Sequence, residues 1–318
     1  MATTSQWLAA TRPRTLPAAI APVLVGWAVA YRTTSLVPVG RGWFSSGPVP
    51  TAVAVARPSM LVLTFLAMFV ALALQVGVNY SNDYSDGIRG TDEVRVGPVR
   101  LVGQGLAPAA QVKSAAFAAF GLAAIAGLVI VIITGLWWLI LVGALAIISA
   151  WFYTGGKRPY GYAGLGELFV FVWFGLVAVQ GTVVVLTGSA SMLGWLFGVG
   201  AGALSCALLV ANNLRDVPTD AQSGKHTLAV RLGASNTRWL YVGLVWIGLV
   251  TPFVAIAAGE TPWLALSLLA AASAHVPGRA VIAGASGRDL LPVLAGTGRT
   301  LLVWAATIAV AYAWAVSR

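Results

Sequence analysis

The sequence predicts an all-α, polytopic membrane protein with about nine transmembrane helices around a central cavity. Of its 318 residues, 59% are hydrophobic and only 9% are charged, whereas soluble domains carry about 25% charged residues. Apolar runs such as residues 115–133 lack the alternation that is typical of transmembrane strands. Because every backbone polar group needs an internal partner in lipid, these runs are predicted to be helices.

The nine helices are predicted from successive apolar runs within one transmembrane domain that spans residues 1–318. They lie near residues 16–31, 60–79, 115–133, 137–153, 164–186, 192–211, 239–257, 261–274 and 300–316. Only three residues separate the third run from the fourth, which predicts a tight hairpin. The eighth run is short for a span, since a transmembrane helix needs about 20 residues.

The positive charges predict the orientation of these helices. With the N-terminus in the cytoplasm, 15 of the 19 Lys and Arg residues fall on the cytoplasmic side, as the positive-inside rule requires. The net charge of +10 is therefore interpreted as topology and contact with anionic lipid, not as nucleic-acid binding. We expect a multi-pass protein of the bacterial plasma membrane. A single cysteine and two histidines exclude an intrachain disulfide and a cysteine- or histidine-rich metal centre.

Two polar stretches interrupt this apolar sequence. In the first, five side chains fall within about 100° of arc on a helix, namely Gln75, Asn79, Asn82, Asp83 and Asp86. The second stretch begins at Asn212 and Asn213 and continues to Asp216 and Asp220. These two acids share a helical face if the helix continues through the intervening proline. Both stretches are predicted to lie on the cytoplasmic side.

Clustered carboxylates and amide oxygens, with basic residues nearby, predict a site for magnesium and a diphosphate. Mg²⁺ prefers oxygen ligands and is often shared between carboxylates and a substrate phosphate, and Arg or Lys binds the remaining phosphate oxygens. In a membrane, the natural ligand of this kind is an isoprenoid diphosphate. Solvated helix ends are the alternative interpretation. The first polar stripe, however, extends back into a predicted span, where polar groups need partners or a function.

The same motifs resemble those of the UbiA family of intramembrane aromatic prenyltransferases. The first motif is Asn79-x-x-Asn82-Asp83-x-x-Asp86, the second is Asp216-x-x-x-Asp220-x-x-x-Gly224-Lys225, and a third feature is Tyr153-x-x-x-Lys157. Similarity to the menaquinone branch of the family is carried by Arg12-Pro13-Arg14-Thr15-Leu16-Pro17, Gly97-Pro98-Val99-Arg100, Gly164-Leu165-Gly166-Glu167 and Asn213-Leu214-Arg215-Asp216. The family often has a third acid where this chain has Gly90, a variant that is similar to the menaquinone branch.

The resemblance implies transfer of a polyprenyl group from polyprenyl diphosphate to 1,4-dihydroxy-2-naphthoate, with Mg²⁺ as the cofactor. It implies metal ligands at Asp83, Asp86, Asp216, Asp220 and Asn79, with catalytic roles for the four aspartates, Lys157 and Tyr153. The implied substrate-binding residues are Gln75, Asn79, Asn82, Arg95, Arg100, Asn212, Asn213, Arg215 and Lys225. Asp92 and Glu93 are candidates for accepting a proton.

Two alternatives remain open at this point. The first is another aromatic acceptor, such as 4-hydroxybenzoate, on the same scaffold. The second is a transporter, since polar stripes within membrane helices also mark ion pathways. A transporter predicts acids near the middle of the membrane, whereas the acids of this chain cluster near one face. Lys157 could also serve only as a positively charged anchor at the end of its helix.

Overall fold

The computed structural model describes residues 2–35, 57–90 and 99–318. Within these ranges the regular structure is helical and contains no strand. The α-helices are α1 Thr4–Ala10, α2 Pro17–Ser35, α3 Arg57–Ile88, α4 Ala109–Thr134, α5 Leu139–Phe152, α6 Gly166–Val170, α7 Ala178–Thr187, α8 Met192–Gln222, α9 Leu228–Ala257, α10 Leu268–Ile282 and α11 Leu290–Val316. A π-helix, Phe171–Val177, joins α6 to α7, and short 3₁₀ helices are Pro13–Thr15, Tyr160–Ala163, Pro262–Ser267 and Gly287–Asp289.

Each of the nine predicted spans coincides with a helical segment, but the count is slightly high. Among the described residues, seven helices are long and apolar enough to cross a membrane, and an eighth is counted if α1 and α2, bent by 54°, form one span. The predicted fourth span corresponds to α5, an apolar helix of 14 residues. That is shorter than the roughly 20 residues that a perpendicular span requires.

The helices pack as a bundle whose main core lies among α2, α7, α8, α9, α10 and α11. Buried side chains at its centre include Val25, Phe197, Leu204, Trp304 and Ile308. Helix α2 packs against α11, so the two ends of the chain meet on one side of the bundle. Helix α5 contributes no fully buried residue and packs at the periphery against α3 and α4.

The π-helix allows an unusually close contact with α8. A Cβ atom on Gly175 would lie 2.5 Å from the carbonyl oxygen of Gly198, and one on Gly202 would lie 2.9 Å from the carbonyl oxygen of Phe171. Small residues let membrane helices approach in this way, and single π-turns often occur at functional sites. Trp173 and Phe174, which are adjacent in this segment, both line a large cavity within the bundle.

The two helices that carry the acids are the longest in the protein as described. Helix α3 has 32 residues and α8 has 31, so each is about 46–48 Å long at 1.5 Å per residue. The hydrocarbon core of a bilayer is only about 30 Å thick, so both helices extend beyond it. Helix α8 continues through Pro218, which resolves the uncertainty about whether Asp216 and Asp220 belong to one helix.

Candidate active site

A cavity of about 1180 Å³ lies within the bundle. Its apolar walls come from α2, α3, α4, α5, the π-helix, α7 and α8. Along α3 the lining extends from Ala67 to Asp86, a distance of about 28 Å at 1.5 Å per residue. The C-terminal turns of α3 and α8 and nearby loops make one end of the cavity polar. The side chains at this end are Arg12, Arg14, Thr15, Gln75, Asn79, Asn82, Asp86, Arg100, Tyr153, Thr154, Tyr160, Tyr162, Asn212, Asn213, Arg215, Asp220, Lys225 and Thr227.

Asp86, Tyr162 and Lys225 form the tightest cluster at the polar end. The Nζ atom of Lys225 lies 2.9 Å from Oδ1 of Asp86, and both side chains are 4% exposed. The Tyr162 hydroxyl donates a short hydrogen bond to the same Oδ1. The Lys225 ammonium also lies 4.7 Å from the centroid of the Tyr162 ring, within the range of a cation–π interaction. A buried carboxylate is thus held between a cation and a phenol.

Backbone hydrogen bonds bring Lys225 to this position. Its N–H donates to the carbonyl of Asp220 at 2.8 Å, and the next N–H, that of His226, donates to the carbonyl of Tyr162 at 2.9 Å. The chain can turn sharply after α8 because Gly224 adopts a φ of 72°, a conformation that glycine tolerates. The loop after α8 is therefore fixed both to the end of α8 and to the 3₁₀ helix Tyr160–Ala163.

Helix α8 contributes four of the predicted residues to the cavity lining: Asn212, Asn213, Arg215 and Asp220. Asp220 is 2% exposed. The guanidinium of Arg215 binds both carboxylate oxygens of Asp216, with distances of 2.7 Å from Nε and 2.6 Å from Nη2. Asp216 itself is not among the residues that line the cavity. The structure therefore places Asp216 as the partner of Arg215, while Asp220 faces the cavity.

The amides of α3 connect the cavity to the N-terminal segment. Nδ2 of Asn79 donates to the carbonyl of Thr11 at 2.7 Å and to the hydroxyl of Thr15 at 3.0 Å, and Gln75 donates to the same hydroxyl at 2.9 Å. Asn82 accepts a 2.7 Å hydrogen bond from the Thr154 hydroxyl. All three predicted amides line the cavity. They also fix the segments that carry Arg12, Arg14 and Tyr153 at its edge.

Asp83 occupies a different position from the one expected of a metal ligand. Its carboxylate accepts hydrogen bonds from the backbone N–H groups of Leu101, at 2.7 Å, and Val102, at 3.1 Å, and it does not line the cavity. Asp83 lies at the edge of the 100° stripe, so it faces the loop before α4. Gly87 permits this close approach, since a Cβ there would lie 2.5 Å from Cβ of Val102. Asp83 thereby positions the loop that carries Arg100.

Replacing Asp83 with alanine should mainly reduce stability. The buried Leu101 N–H loses its acceptor, which costs about 1–3 kcal/mol, and the partly exposed Val102 N–H loses less. Thermal unfolding of the detergent-solubilised protein should show a lower melting temperature than the wild type. Asp289→Ala is the matched control, because Asp289 is exposed and its side chain makes no capping hydrogen bond to α11. An unchanged melting temperature in Asp83→Ala would contradict the proposed role.

The remaining predicted residues divide into three groups. Tyr153 and Arg100 line the cavity. Lys157 is exposed and does not line it, so the structure does not bring this lysine to the other site residues. Arg95, Asp92 and Glu93 lie outside the described residues.

Several residues at the polar end were not predicted from the sequence as site residues. Arg12 and Arg14 line the cavity, although in the sequence they stand out only as part of a motif. Tyr162 binds Asp86, and its only signal is its place in an aromatic, glycine-containing turn. Arg89 does not line the cavity, but its guanidinium carbon lies 5.2 Å from the centroid of the Tyr162 ring and its guanidinium donates to the backbone carbonyls of Thr154 and Gly156.

Three aromatic rings form one wall beside the polar end. The Tyr160 ring stacks on Phe169, with centroids 3.9 Å apart, and meets the Tyr153 ring edge-on at 5.5 Å. The Tyr160 hydroxyl donates to the carbonyl of Ser149 at 2.8 Å. Burial raises the pKa of the Tyr160 phenol, so this hydroxyl stays protonated at neutral pH and remains a donor. All three rings line the cavity.

The donor atoms of this polar end fit a magnesium ion that is shared with a phosphate. In the part of the chain that the structure describes, no three His, Cys, Asp or Glu side chains form a cluster that could hold a metal by themselves. Asp86 and Asp220, however, line one cavity together with amide side chains from both long helices. Mg²⁺ typically binds one or two protein carboxylates together with water and substrate phosphate. Two carboxylates with amide oxygens are therefore sufficient.

Comparison with known proteins assigns this arrangement to a family. The model of the UbiA prenyltransferase family matches residues 42–285. The chain is 49% identical over 314 residues to a 1,4-dihydroxy-2-naphthoate octaprenyltransferase of Mycobacterium tuberculosis, covering 99% of each chain. It is 34% identical over 253 residues to a protein of the same name from Escherichia coli, covering 78% of this chain and 75% of that one.

Solved structures share the fold at low sequence identity. The apo structure of a UbiA homologue from Aeropyrum pernix has a TM-score of 0.66 at 14% identity, covering 91% of this chain and 97% of that one. A UbiA homologue from Archaeoglobus fulgidus, bound to GPP and Mg²⁺, has a TM-score of 0.62 at 14% identity, covering 95% and 99%. Since the family model matches most of the chain and the Mycobacterium tuberculosis relative aligns along 99% of it, this chain belongs to the UbiA prenyltransferase family.

Proposed function

We propose that this chain transfers a polyprenyl group from polyprenyl diphosphate to 1,4-dihydroxy-2-naphthoate, with loss of carbon dioxide, giving demethylmenaquinol for menaquinone biosynthesis. The observation that carries the proposal is the 49% identity, over 99% of both chains, to the Mycobacterium tuberculosis 1,4-dihydroxy-2-naphthoate octaprenyltransferase. Proteins with the same name from Escherichia coli and Bacillus subtilis are 34% and 31% identical. With this function, the polar stripes in the membrane helices are explained without a transport activity.

The shape of the cavity suits a donor with a charged head and a long apolar tail. Its polar end holds Asp86, Asp220, Arg215 and Lys225, and apolar side chains line the remainder. The volume of about 1180 Å³ exceeds the roughly 300–1,000 Å³ of ordinary small-molecule sites. A polyprenyl diphosphate would therefore bind with its diphosphate between the ends of α3 and α8 and its tail along α3.

Asp86 and Asp220, with the amide oxygens of Asn79 and Asn82, would hold Mg²⁺ at the diphosphate. The metal, when bound, neutralises part of the negative charge that develops on the leaving diphosphate. A Mg²⁺-bound structure of the Archaeoglobus fulgidus homologue is consistent with this assignment. Lys225 and Arg215 lie in the same lining and supply fixed positive charge to the remaining phosphate oxygens, which is most effective where water is excluded.

The bond changes follow from this arrangement. The allylic C–O bond breaks, and its electron pair leaves with the diphosphate. The face of the Tyr153 ring is available to stabilise the allylic cation through a cation–π interaction. The electron-rich ring carbon of the naphthoate that carries the carboxylate then bonds to the prenyl carbon. The carboxylate leaves as carbon dioxide, and the electron pair of the broken bond remains on the ring.

The acceptor requires positive charge of its own, because it carries a carboxylate. Arg12, Arg14 and Arg100 line the same polar end from the N-terminal segment and from the loop before α4. Arg12 adopts a φ of 53°, which is strained for a residue with a side chain, and such strain often occurs at functional sites. We propose that these arginines bind the acceptor carboxylate and the outer diphosphate oxygens.

The orientation in the membrane is also part of the proposal. In the topology predicted from the sequence, 15 of the 19 Lys and Arg residues fall on the cytoplasmic side together with both acidic stretches, which supports a cytoplasmic site and a cytoplasmic N-terminus. The surrounding bilayer would then deliver the polyprenyl tail. Reaction of a membrane-impermeant maleimide with a cysteine introduced at the exposed Ser286 should require opened cells. Labelling in intact cells would contradict this orientation.

The acceptor assignment is tested by comparing the two candidate acceptors in parallel assays. Membranes that contain the protein are given Mg²⁺, a polyprenyl diphosphate and either 1,4-dihydroxy-2-naphthoate or 4-hydroxybenzoate. We expect a prenylated, decarboxylated product with the naphthoate. Product with 4-hydroxybenzoate alone would reject the naphthoate assignment, and substrate flux into liposomes without any covalent product would support the transporter alternative.

The length of the prenyl tail should be limited by the far part of the cavity. Gly127 of α4 lines the cavity, and a Cβ built there meets no atom within 4 Å. Gly127→Phe should therefore place a ring in the part of the cavity that would hold the prenyl tail. The substrate preference should then shift towards donors with shorter prenyl chains, measured with geranyl, farnesyl and longer diphosphates. Gly121→Phe is the matched control on the same helix, because Gly121 also meets no atom within 4 Å but does not line the cavity. Equal shifts in both variants would contradict the argument.

A further inference from the structure

Glu167 is a buried carboxylate outside the group of residues that line the cavity. It is 8% exposed and stands in the first turn of the span Gly166–Thr187. Its Oε1 accepts a 2.9 Å hydrogen bond from Nδ2 of Asn213, and its Oε2 has no hydrogen-bond partner among the described residues. Burying a carboxyl group in a membrane span costs free energy, particularly when one of its oxygens has no hydrogen-bond partner. This cost indicates a role that an apolar residue could not fill.

The contact with Asn213 links this carboxylate to the candidate active site. Asn213 lines the polar end of the cavity, next to Asn212 and close in sequence to Arg215. A carboxamide is planar, with its donor nitrogen and acceptor oxygen on opposite branches. With Nδ2 of Asn213 bound to Glu167, Oδ1 is turned away from Glu167. The hydrogen bond to Glu167 therefore fixes which way the Asn213 amide points, with its nitrogen towards Glu167 and its oxygen away from it.

The backbone around Glu167 is also held in place by contacts with neighbouring segments. The thiol of Cys206 on α8 donates to the carbonyl of Glu167 at 3.0 Å. The preceding residue, Gly166, allows the Tyr153 hydroxyl to approach, since a Cβ there would lie 3.3 Å from it. Glu167 is therefore placed between α8 and the Tyr153 wall, with little freedom to move relative to Asn213.

We propose that Glu167 is a positioning residue that orients the Asn213 amide, so that its oxygen faces the cation bound to the diphosphate. The inference rests on the proposed function only for the nature of that ligand. Residues that orient a ligand-binding side chain through a hydrogen bond commonly change metal affinity or activity by about 10–100-fold when they are replaced. An effect of that size on diphosphate binding is expected here.

The first test separates hydrogen-bond acceptance from mere filling of space. Glu167→Gln retains an oxygen that can accept from Asn213, whereas Glu167→Met has a similar size and no such acceptor. Binding of a non-hydrolysable prenyl thiodiphosphate with Mg²⁺ is measured by calorimetry on the full chain in detergent. We expect near-normal affinity for Glu167→Gln and a loss of about 10–100-fold for Glu167→Met. Normal affinity in Glu167→Met would overturn the proposal.

The second test is a rescue. Asn213→Asp places two carboxylates against each other, which is unfavourable in a buried site, so binding should weaken. Adding Glu167→Gln to Asn213→Asp restores a donor–acceptor pair with its direction reversed and should recover much of the affinity. A purely structural role predicts that all variants lose thermal stability and that the double variant binds no better than Asn213→Asp. A double-mutant cycle without coupling between the two positions would reject the inference.

The two proposals fail in distinguishable ways. If the wild-type chain binds the thiodiphosphate but makes no product with the naphthoate, the acceptor assignment fails and the role of Glu167 stands. If the wild-type chain binds no prenyl thiodiphosphate in the presence of Mg²⁺, the proposed function itself fails. If the wild type both binds and reacts while Glu167→Met matches it, only the inference about Glu167 fails.

Discussion

Asp86→Asn should reduce prenyl transfer by about 10²–10³-fold or more, because it removes a buried charge where the diphosphate and its cation bind. Asp86 accepts hydrogen bonds from Lys225 and Tyr162 and is 3% exposed. The measurement is turnover of a polyprenyl diphosphate in detergent micelles or liposomes, with Mg²⁺ varied. Wild-type turnover would contradict the assignment of Asp86 to the site.

A second variant separates catalysis from folding. Removing one partner of a buried ion pair costs about 3–5 kcal/mol, whereas replacing both partners is often close to neutral. Asp86→Asn combined with Lys225→Met should therefore recover the melting temperature that Asp86→Asn loses, and it should remain inactive. Recovery of activity together with stability would show that Asp86 serves only the fold.

Lys225→Met should lower turnover by about 10²–10³-fold, because the leaving diphosphate loses a fixed positive charge. The effect should lie mainly in kcat, since this charge matters most when the C–O bond breaks. The Michaelis constant for the donor should change less. The variant also removes the 2.9 Å ion pair with Asp86, so its melting temperature is measured beside its turnover.

Lys157→Met provides the matched control, because Lys157 is exposed and does not line the cavity. The sequence motif predicts a catalytic role for this lysine, whereas the structure brings Lys225 to the acids instead. We expect wild-type turnover in Lys157→Met. Loss of turnover in Lys157→Met, with normal turnover in Lys225→Met, would reverse the assignment.

The positions of the helices could be predicted from apolar runs because lipid permits few alternatives to a helix. The same argument predicted one transmembrane span too many, since α5 has the composition of a span but only 14 residues. Helical periodicity also predicted that Gln75, Asn79, Asn82 and Asp86 share one face, and all four line the cavity.

The roles of individual acids could not be predicted in the same way. Helical periodicity predicts the direction of a side chain only to a few tens of degrees. Asp83 lies at the edge of its polar stripe, where its carboxylate accepts hydrogen bonds from the backbone of the loop before α4. Asp216 lies on the correct helix, but the guanidinium beside it in the sequence occupies both of its oxygens. These pairings depend on side-chain geometry, which spacing alone does not specify.

By itself, the sequence determined that this protein is helical, lies in a membrane and carries two polar stretches suited to a diphosphate and a divalent cation. Composition, helical period and motif spacing are local properties, so they can be read along the chain. Only the tertiary structure decided which side chains meet. The pairs Asp86–Lys225 and Glu167–Asn213 join residues that are distant in sequence, and their contacts exist because the loop after α8 reaches the end of α3 and the first turn of α6 packs against α8.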